Sequence, residues 1–202
     1  MQKTTLMDYP DHPLFPLSSV VFPGGIMPLR IFEPRYMDMV RHCTTNKVGF
    51  GVCALEPNER GSEEASAGNT PREIGTLAEI IDFNQLEDGF LGITVEGKQR
   101  FEVLDKRVAE NGLWWGTVRM LEEQEDVACP EEFALLQQVL ESVYDKLGEP
   151  YASRPRDFES AAWISGRLTE LLPFDPATKH NLLATPDPLD RLRQIRPLIK
   201  VQ

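Results

Sequence analysis

Residues 14–36 read LFPLSSVVFPGGIMPLRIFEPRY, short apolar runs punctuated by Pro16, Pro23, Gly24, Gly25, Pro28 and Pro34. Proline fixes φ and removes a ladder donor, and glycine permits positive φ. Runs this short under this punctuation are therefore strands joined by tight connections. The end of the stretch changes period. Tyr36, Met39, Val40 and Cys43 fall at i, i+3, i+4 and i+7, which predicts an amphipathic helix over Glu33–Cys43, with Pro34 in its first turn and Arg41 and His42 near its negative end.

Before this stretch, Met1–His12 is polar apart from Met7 and Tyr9 and is expected to pack only in part. After it, Val48–Ala54 alternates, with Val48, Phe50 and Val52 on one face and Gly49, Gly51 and Cys53 on the other. Small residues along one strand face imply close approach by another backbone or by the preceding helix. Glu56–Glu73 is a polar loop, poor in apolar residues and long enough to carry a function. Ile74–Phe83 resumes as a strand, and turn signals at Asp88-Gly89, Gly97-Lys98 and Asn111-Gly112 separate further strands at Phe90–Glu96, Arg100–Val108 and Leu113–Leu121. An antiparallel meander curled into a small barrel is the simplest arrangement. Trp114 and Trp115 must point to opposite faces, one into the core and one toward something else, such as the second subdomain.

From Glu122 the composition shifts to an acidic, apolar-poor linker, EEQEDVACP. Beyond it the periodicity becomes helical: Phe133, Leu136, Leu140, Val143, Tyr144 and Leu147 share a face, with Gly148 as a stop. A second helix is expected from near Phe158 to Leu172. Asp175-Pro176 and Asp187-Pro188 are repeated N-cap-plus-proline starts for two more, the last ended early by Pro197. The expected fold is α+β: a β-barrel subdomain over residues 1–121 with one or two helices, then a helical bundle over 122–202.

At 202 residues, 41% hydrophobic and 26% charged, the chain can bury a core. Its net charge of −11 disfavours sequence-independent binding of nucleic acid, which needs a basic surface. Cys43, Cys53 and Cys129 are widely spaced, no secretory leader pattern opens the chain, and no apolar run approaches the ~20 residues that span a bilayer; a cytoplasmic location is expected.

Gly92-Ile-Thr-Val-Glu-Gly97-Lys98-Gln99 matches a phosphate-binding loop except at its last position, where Gln99 replaces the hydroxyl that would hold Mg²⁺, and no helix follows to receive phosphate. A glycine-marked hairpin accounts for it. His42, Cys43 and Cys53 lack a fourth ligand at zinc spacing, and adjacent helical residues point about 100° apart. The carboxylates Glu122, Glu123, Glu125 and Asp126 read as a solvated linker face. No catalytic residue, metal or cofactor is expected. Glu33 and Arg35 either pair locally at a helix start or face a ligand groove. Phe32 and Tyr36 either join the core or form a recognition platform.

The segments FPLSSVVFPGGIMPLRIFEPRY, VGFGVC, IGTLAEI, DGFLGITVEGKQRFEV, WISGRLTELLPF and LLATPDPLDRL together resemble the Lon protease amino-terminal substrate-binding domain, over nearly the whole chain. The resemblance implies a PUA-like β-barrel followed by helices, and a non-enzymatic role in binding unfolded or tagged polypeptide or a protein partner; no counterpart of the family's ATPase or Ser-Lys protease modules is present in the sequence. Arg30, Phe32, Glu33, Arg35 and Tyr36 are the candidate peptide-binding residues. A small-molecule or RNA binder is the alternative, requiring a concave basic patch from Arg30, Arg35, Lys98 and Arg100. A third reading, an enzyme, requires polar groups such as Glu33, Glu79 and His42 to converge in a pocket.

Overall fold

A computed structural model describes residues 8–56 and 70–199. Most of the Glu56–Glu73 loop and the first part of Met1–His12 lie outside the described residues. Six strands come first: β1 (Asp8–Leu17), β2 (Ile26–Ile31), β3 (Phe50–Leu55), β4 (Pro71–Gln85), β5 (Leu91–Val108) and β6 (Trp114–Met120), with α1 (Pro34–Asn46) between β2 and β3. Four helices follow: α2 (Ala134–Tyr144), α3 (Ala161–Leu171), α4 (Pro176–Ala184) and α5 (Pro188–Ile195). The sheet order is β2-β5-β4-β3-β1-β6, and a further β5–β6 pairing closes five of the strands into a ring. Closure removes sheet edges. β2 stays outside the ring on the first half of β5, and Pro28 deprives its free edge of one donor.

The expected turn at Gly97-Lys98 is absent; β5 runs straight through it as one 18-residue strand. Leu77 lies opposite Gln99 and Ala78 opposite Gly97, so Lys98 is the extra residue of a β-bulge. A bulge bends its strand and sharpens the twist, and this one lets β5 pair with β2 at one end and β6 at the other. The sheet is also not wholly antiparallel: β1 and β3 run parallel, since β2 and α1 form a crossover long enough to reverse the chain. β1 begins earlier than the sequence indicated, because Asp8–His12 pair with β6 although their side chains remain largely exposed.

Leu14 and Phe15 face opposite ways and head two cores. On one face Leu14, Cys53, Phe101, Val103 and Val118 pack together. On the other, α1 lays down the four residues its periodicity singled out, Tyr36, Met39, Val40 and Cys43, over Phe15, Phe50, Val52 and Ile93. The glycine face is approached closely, at Gly49 by another backbone and at Gly51 by side chains: a Cβ on Gly49 would lie 2.5 Å from the Ala78 carbonyl oxygen, and one on Gly51 2.5 Å from Phe101 Cζ and 2.8 Å from Leu14 Cδ2. Both tryptophans are half-buried. Trp114 packs against the Phe101 cluster, and Trp115 meets the His42 ring of α1 edge-on at 5.1 Å, not the helical region.

Ser160, Asp175 and Asp187 cap α3, α4 and α5 by accepting backbone N–H bonds. α2 stops at Tyr144, short of Gly148. The helices share one apolar core from Phe133 to Ile195. They join the strands through Val20, Phe22, Ala54 and Leu183, and through two buried polar links. Glu170 pairs with Arg167 at 2.7 Å and accepts the Phe22 N–H at 2.6 Å. Arg100, 1% exposed, holds Glu123 through both carboxylate oxygens and donates to the carbonyls of Leu183 and Thr185. Glu123 is thus a structural partner, not part of a purely solvated linker.

Burial pushes the Cys43 and Cys53 thiols up to about 12, whereas Cys129 is only partly buried. Since the thiolate is the reactive form, titration of the native chain with a chromogenic disulfide is expected to show one accessible thiol, the other two appearing on unfolding. Rapid reaction of two or three would contradict this packing.

Candidate functional site

The candidate residues separate into a surface group and a buried one. β2 ends with Arg30 and Ile31, and its alternation sends Ile31 inward and Arg30 outward. Arg30 lies over the Phe90 ring at 4.6 Å and the Phe32 ring at 5.9 Å, and it pairs with Asp88 at 2.9 Å. Phe32 and Phe90 meet edge-to-face at 6.3 Å and remain 59% and 40% exposed. Two large aromatics held in water by a cation–π stack form a preorganised apolar platform. Glu33 and Arg35 take the local option: they pair at 2.6 Å, and Arg35 also donates to the Gly112 carbonyl at 3.3 Å. Tyr36 turns inward onto Phe15, ring centroids 4.2 Å apart, and belongs to the core, not to the platform.

The β4–β5 hairpin supplies Phe90 and Asp88. Its turn is fixed by the Phe90 N–H donating to Asp88 Oδ1 and by Gly89 at φ +82°. Sequence reasoning identified the Asp88-Gly89 turn but did not carry Phe90 into the site. An aromatic immediately after a tight turn, too far along the hairpin to reach a core, was the available signal.

Next to the platform, a cleft of about 550 Å³ opens between the outer face of β2, β5 and β4 and the segment Glu149–Tyr151 that follows α2. Gly92 forms part of its floor, and the space its missing side chain would fill holds the Asn84 carboxamide, 2.4 Å from the ideal Cβ. Thr94 and Asp82 extend the floor, Pro28 and Tyr151 form apolar walls, and Arg30 bridges cleft and platform. The Tyr151 hydroxyl is held above its ordinary range, by burial first and then by the nearby Glu170 carboxylate.

The other two arrangements weighed from sequence do not assemble. Arg30, Arg35, Lys98 and Arg100 each face a carboxylate, and Arg100 is buried, so they form no concave basic patch. Glu79 and His42 line different depressions, and Glu33 is engaged by Arg35. Among the described residues no cluster of three or more His, Cys, Asp or Glu has metal-holding geometry, and no helix is long and apolar enough to cross a membrane.

The family model for the ATP-dependent protease La (LON) substrate-binding domain matches residues 11–201. The chain belongs to the Lon substrate-binding domain family. A crystal structure of a Lon N-terminal domain protein from Xanthomonas campestris is 35% identical, with a TM-score of 0.74, covering 94% of this chain and 99% of that one. Lon protease of Cytophaga hutchinsonii is 28% identical over 188 residues, covering 89% of this chain, and protein cereblon of Danio rerio is 31% identical over 127 residues, covering 60%. This Lon-family chain spans only 22% and 28% of the length of those two proteins respectively. The α+β architecture inferred from the resemblance is that of the Lon N-terminal domain.

Proposed function

We propose that this chain is a non-catalytic module that binds polypeptide, with Arg30, Phe32 and Phe90 as the contact platform and the adjoining cleft as the track for an extended segment. Glu33 and Arg35, paired with each other, follow the platform in sequence, and Tyr36 lies in the core outside the contact surface. The observation that carries the reading is the exposed aromatic pair stacked on Arg30 at the mouth of a cleft. Solvated aromatics at the edge of a concave surface are the usual anchors of a protein interface. The family's substrate-binding designation supports the same role, as does its relatives' membership in Lon proteases. In this proposal the division near residue 121 separates a recognition barrel from a helical buttress. The scattered free thiols suit a cytoplasmic setting.

The test is binding to an array of short peptides tiled over an unfolded reference protein, followed by solution affinities for the strongest. Phe32→Ser with Phe90→Ser is expected to weaken binding by about 30-fold, the loss of a hot-spot pair worth roughly 2 kcal/mol, while the melting temperature stays near wild type. Equal binding by the double variant would overturn the assignment of the platform.

A further inference from the structure

We propose that the cleft selects segments in which a large apolar side chain is followed within a few residues by a lysine or arginine, and discriminates against acidic segments. This rests on the polypeptide-binding reading above and adds the chemistry of its substrate. Asp82, from the floor, and Glu149, from the opposite wall, both line the cleft. Asp82 Oδ1 accepts only its neighbour's N–H, from Phe83 at 2.9 Å, and Glu149 Oε2 accepts the Ser153 hydroxyl at 2.7 Å. Among the described residues neither carboxylate has a cation partner, a condition shared with other surface acids; what distinguishes these two is that both face the same cleft. Arg30 is the single cation among the lining residues, and its charge is already engaged by Asp88. The cleft thus presents two uncompensated negative groups beside a neutralised aromatic platform.

An incoming segment has three kinds of surface to satisfy. Its apolar side chain meets Phe32 and Phe90. Its backbone finds the Asn84 carboxamide over Gly92 on the face of the sheet, whereas Pro28 removes a donor from the free β2 edge and makes strand addition a poor mode here. A cationic side chain then reaches Asp82 and Glu149, whereas a carboxylate would meet two like charges, an arrangement that lowers affinity for the wrong partner.

The experiment uses the full chain and three fluorescent 12-residue peptides with one shared apolar sequence and Lys, Gln or Asp at two flanking positions. At low salt the Lys peptide is expected to bind about 10-fold or more tighter than the Asp peptide, and the gap is expected to shrink in 0.5 M salt as screening shortens the reach of the charges. Asp82→Lys with Glu149→Lys is expected to invert the order. Glu122→Lys with Glu125→Lys, which changes net charge equally on the exposed linker, is expected to preserve it. If all three peptides bind alike, or both double variants shift the preference equally, the selectivity proposal fails while the binding reading stands. If none binds, both fail.

Discussion

Arg100→Met is expected to destabilise the chain by about 3–4 kcal/mol, the cost of breaking a buried pair and leaving its partners without donors. At this chain length that corresponds to a fall in melting temperature of about 10 °C. The side chain is 1% exposed and makes its bonds in two directions: toward Glu123 in the connection, and toward the Leu183 and Thr185 carbonyls at the end of α4. Methionine fills the volume but satisfies none of these groups. Glu123, 38% exposed, can rehydrate, and Arg191 still donates to Thr185, which keeps the expected loss below that of a wholly buried charge. Arg100→Lys is no rescue, because one ammonium cannot reproduce the planar fork. Since these bonds tie strands to helices, urea unfolding of the variant is also expected to lose cooperativity. Arg30→Met is the contrast: its pair with Asp88 is exposed on both sides, and pairs of that kind contribute at most about 1 kcal/mol. A loss of under 1 kcal/mol for Arg100→Met would show that the two halves do not depend on this arginine.

The contrast between Arg100 and Arg30 also marks where sequence reading succeeded and where it stopped. Local periodicity identified the buried face of α1 residue by residue, because a helix repeats every 3.6 residues whatever it packs against. The Asp-Pro starts of α4 and α5 were legible for a similar reason, since the cap and the proline act within one turn. Arg100 lies in a strand of alternating residues where nothing nearby reveals that its carbonyl partners come from residues more than eighty positions away. Glu123 was hidden in the same way, among three other acidic residues. The site divided along this line too. Arg30 and Phe32 lie within the opening stretch, but Asp82 and Asn84 on β4, Phe90 in the β4–β5 turn, and Glu149 beyond α2 join it only through the sheet register and the docking of the helices. Gly97-Lys98 reads as a turn and folds as a bulge because Gly-Lys serves either structure, and the choice is made by whether the strand must end or bend.

The glycine at that bulge is the most demanding position in the sheet. Gly97→Ala is expected to destabilise by about 3 kcal/mol or more, within the range of severe steric substitutions, because the added Cβ would sit 2.3 Å from the Phe22 carbonyl oxygen and 3.0 Å from its carbon. A flexible side chain could swing aside; this backbone cannot. The Phe22 carbonyl also accepts the Gly25 N–H, Gly24 donates to the Gly97 carbonyl, Gly97 donates to the Gly25 carbonyl, and the Phe22 N–H is fixed on Glu170. Moving the oxygen away from an alanine methyl therefore disturbs bonds on both sides of the Pro23-Gly24-Gly25 turn and the contact with α3. Gly148→Ala provides the control, since its ideal Cβ meets nothing within 4 Å and its backbone angle is unexceptional. Chemical denaturation of the two variants separates steric exclusion from any general effect of losing a glycine. The same pair distinguishes the two readings of the sequence around Gly97. A phosphate loop would tolerate folding with alanine and lose a ligand, whereas a strand crossed at close range by Phe22 loses stability first, and a Gly97→Ala chain as stable as wild type would remove the packing account given for the bulge.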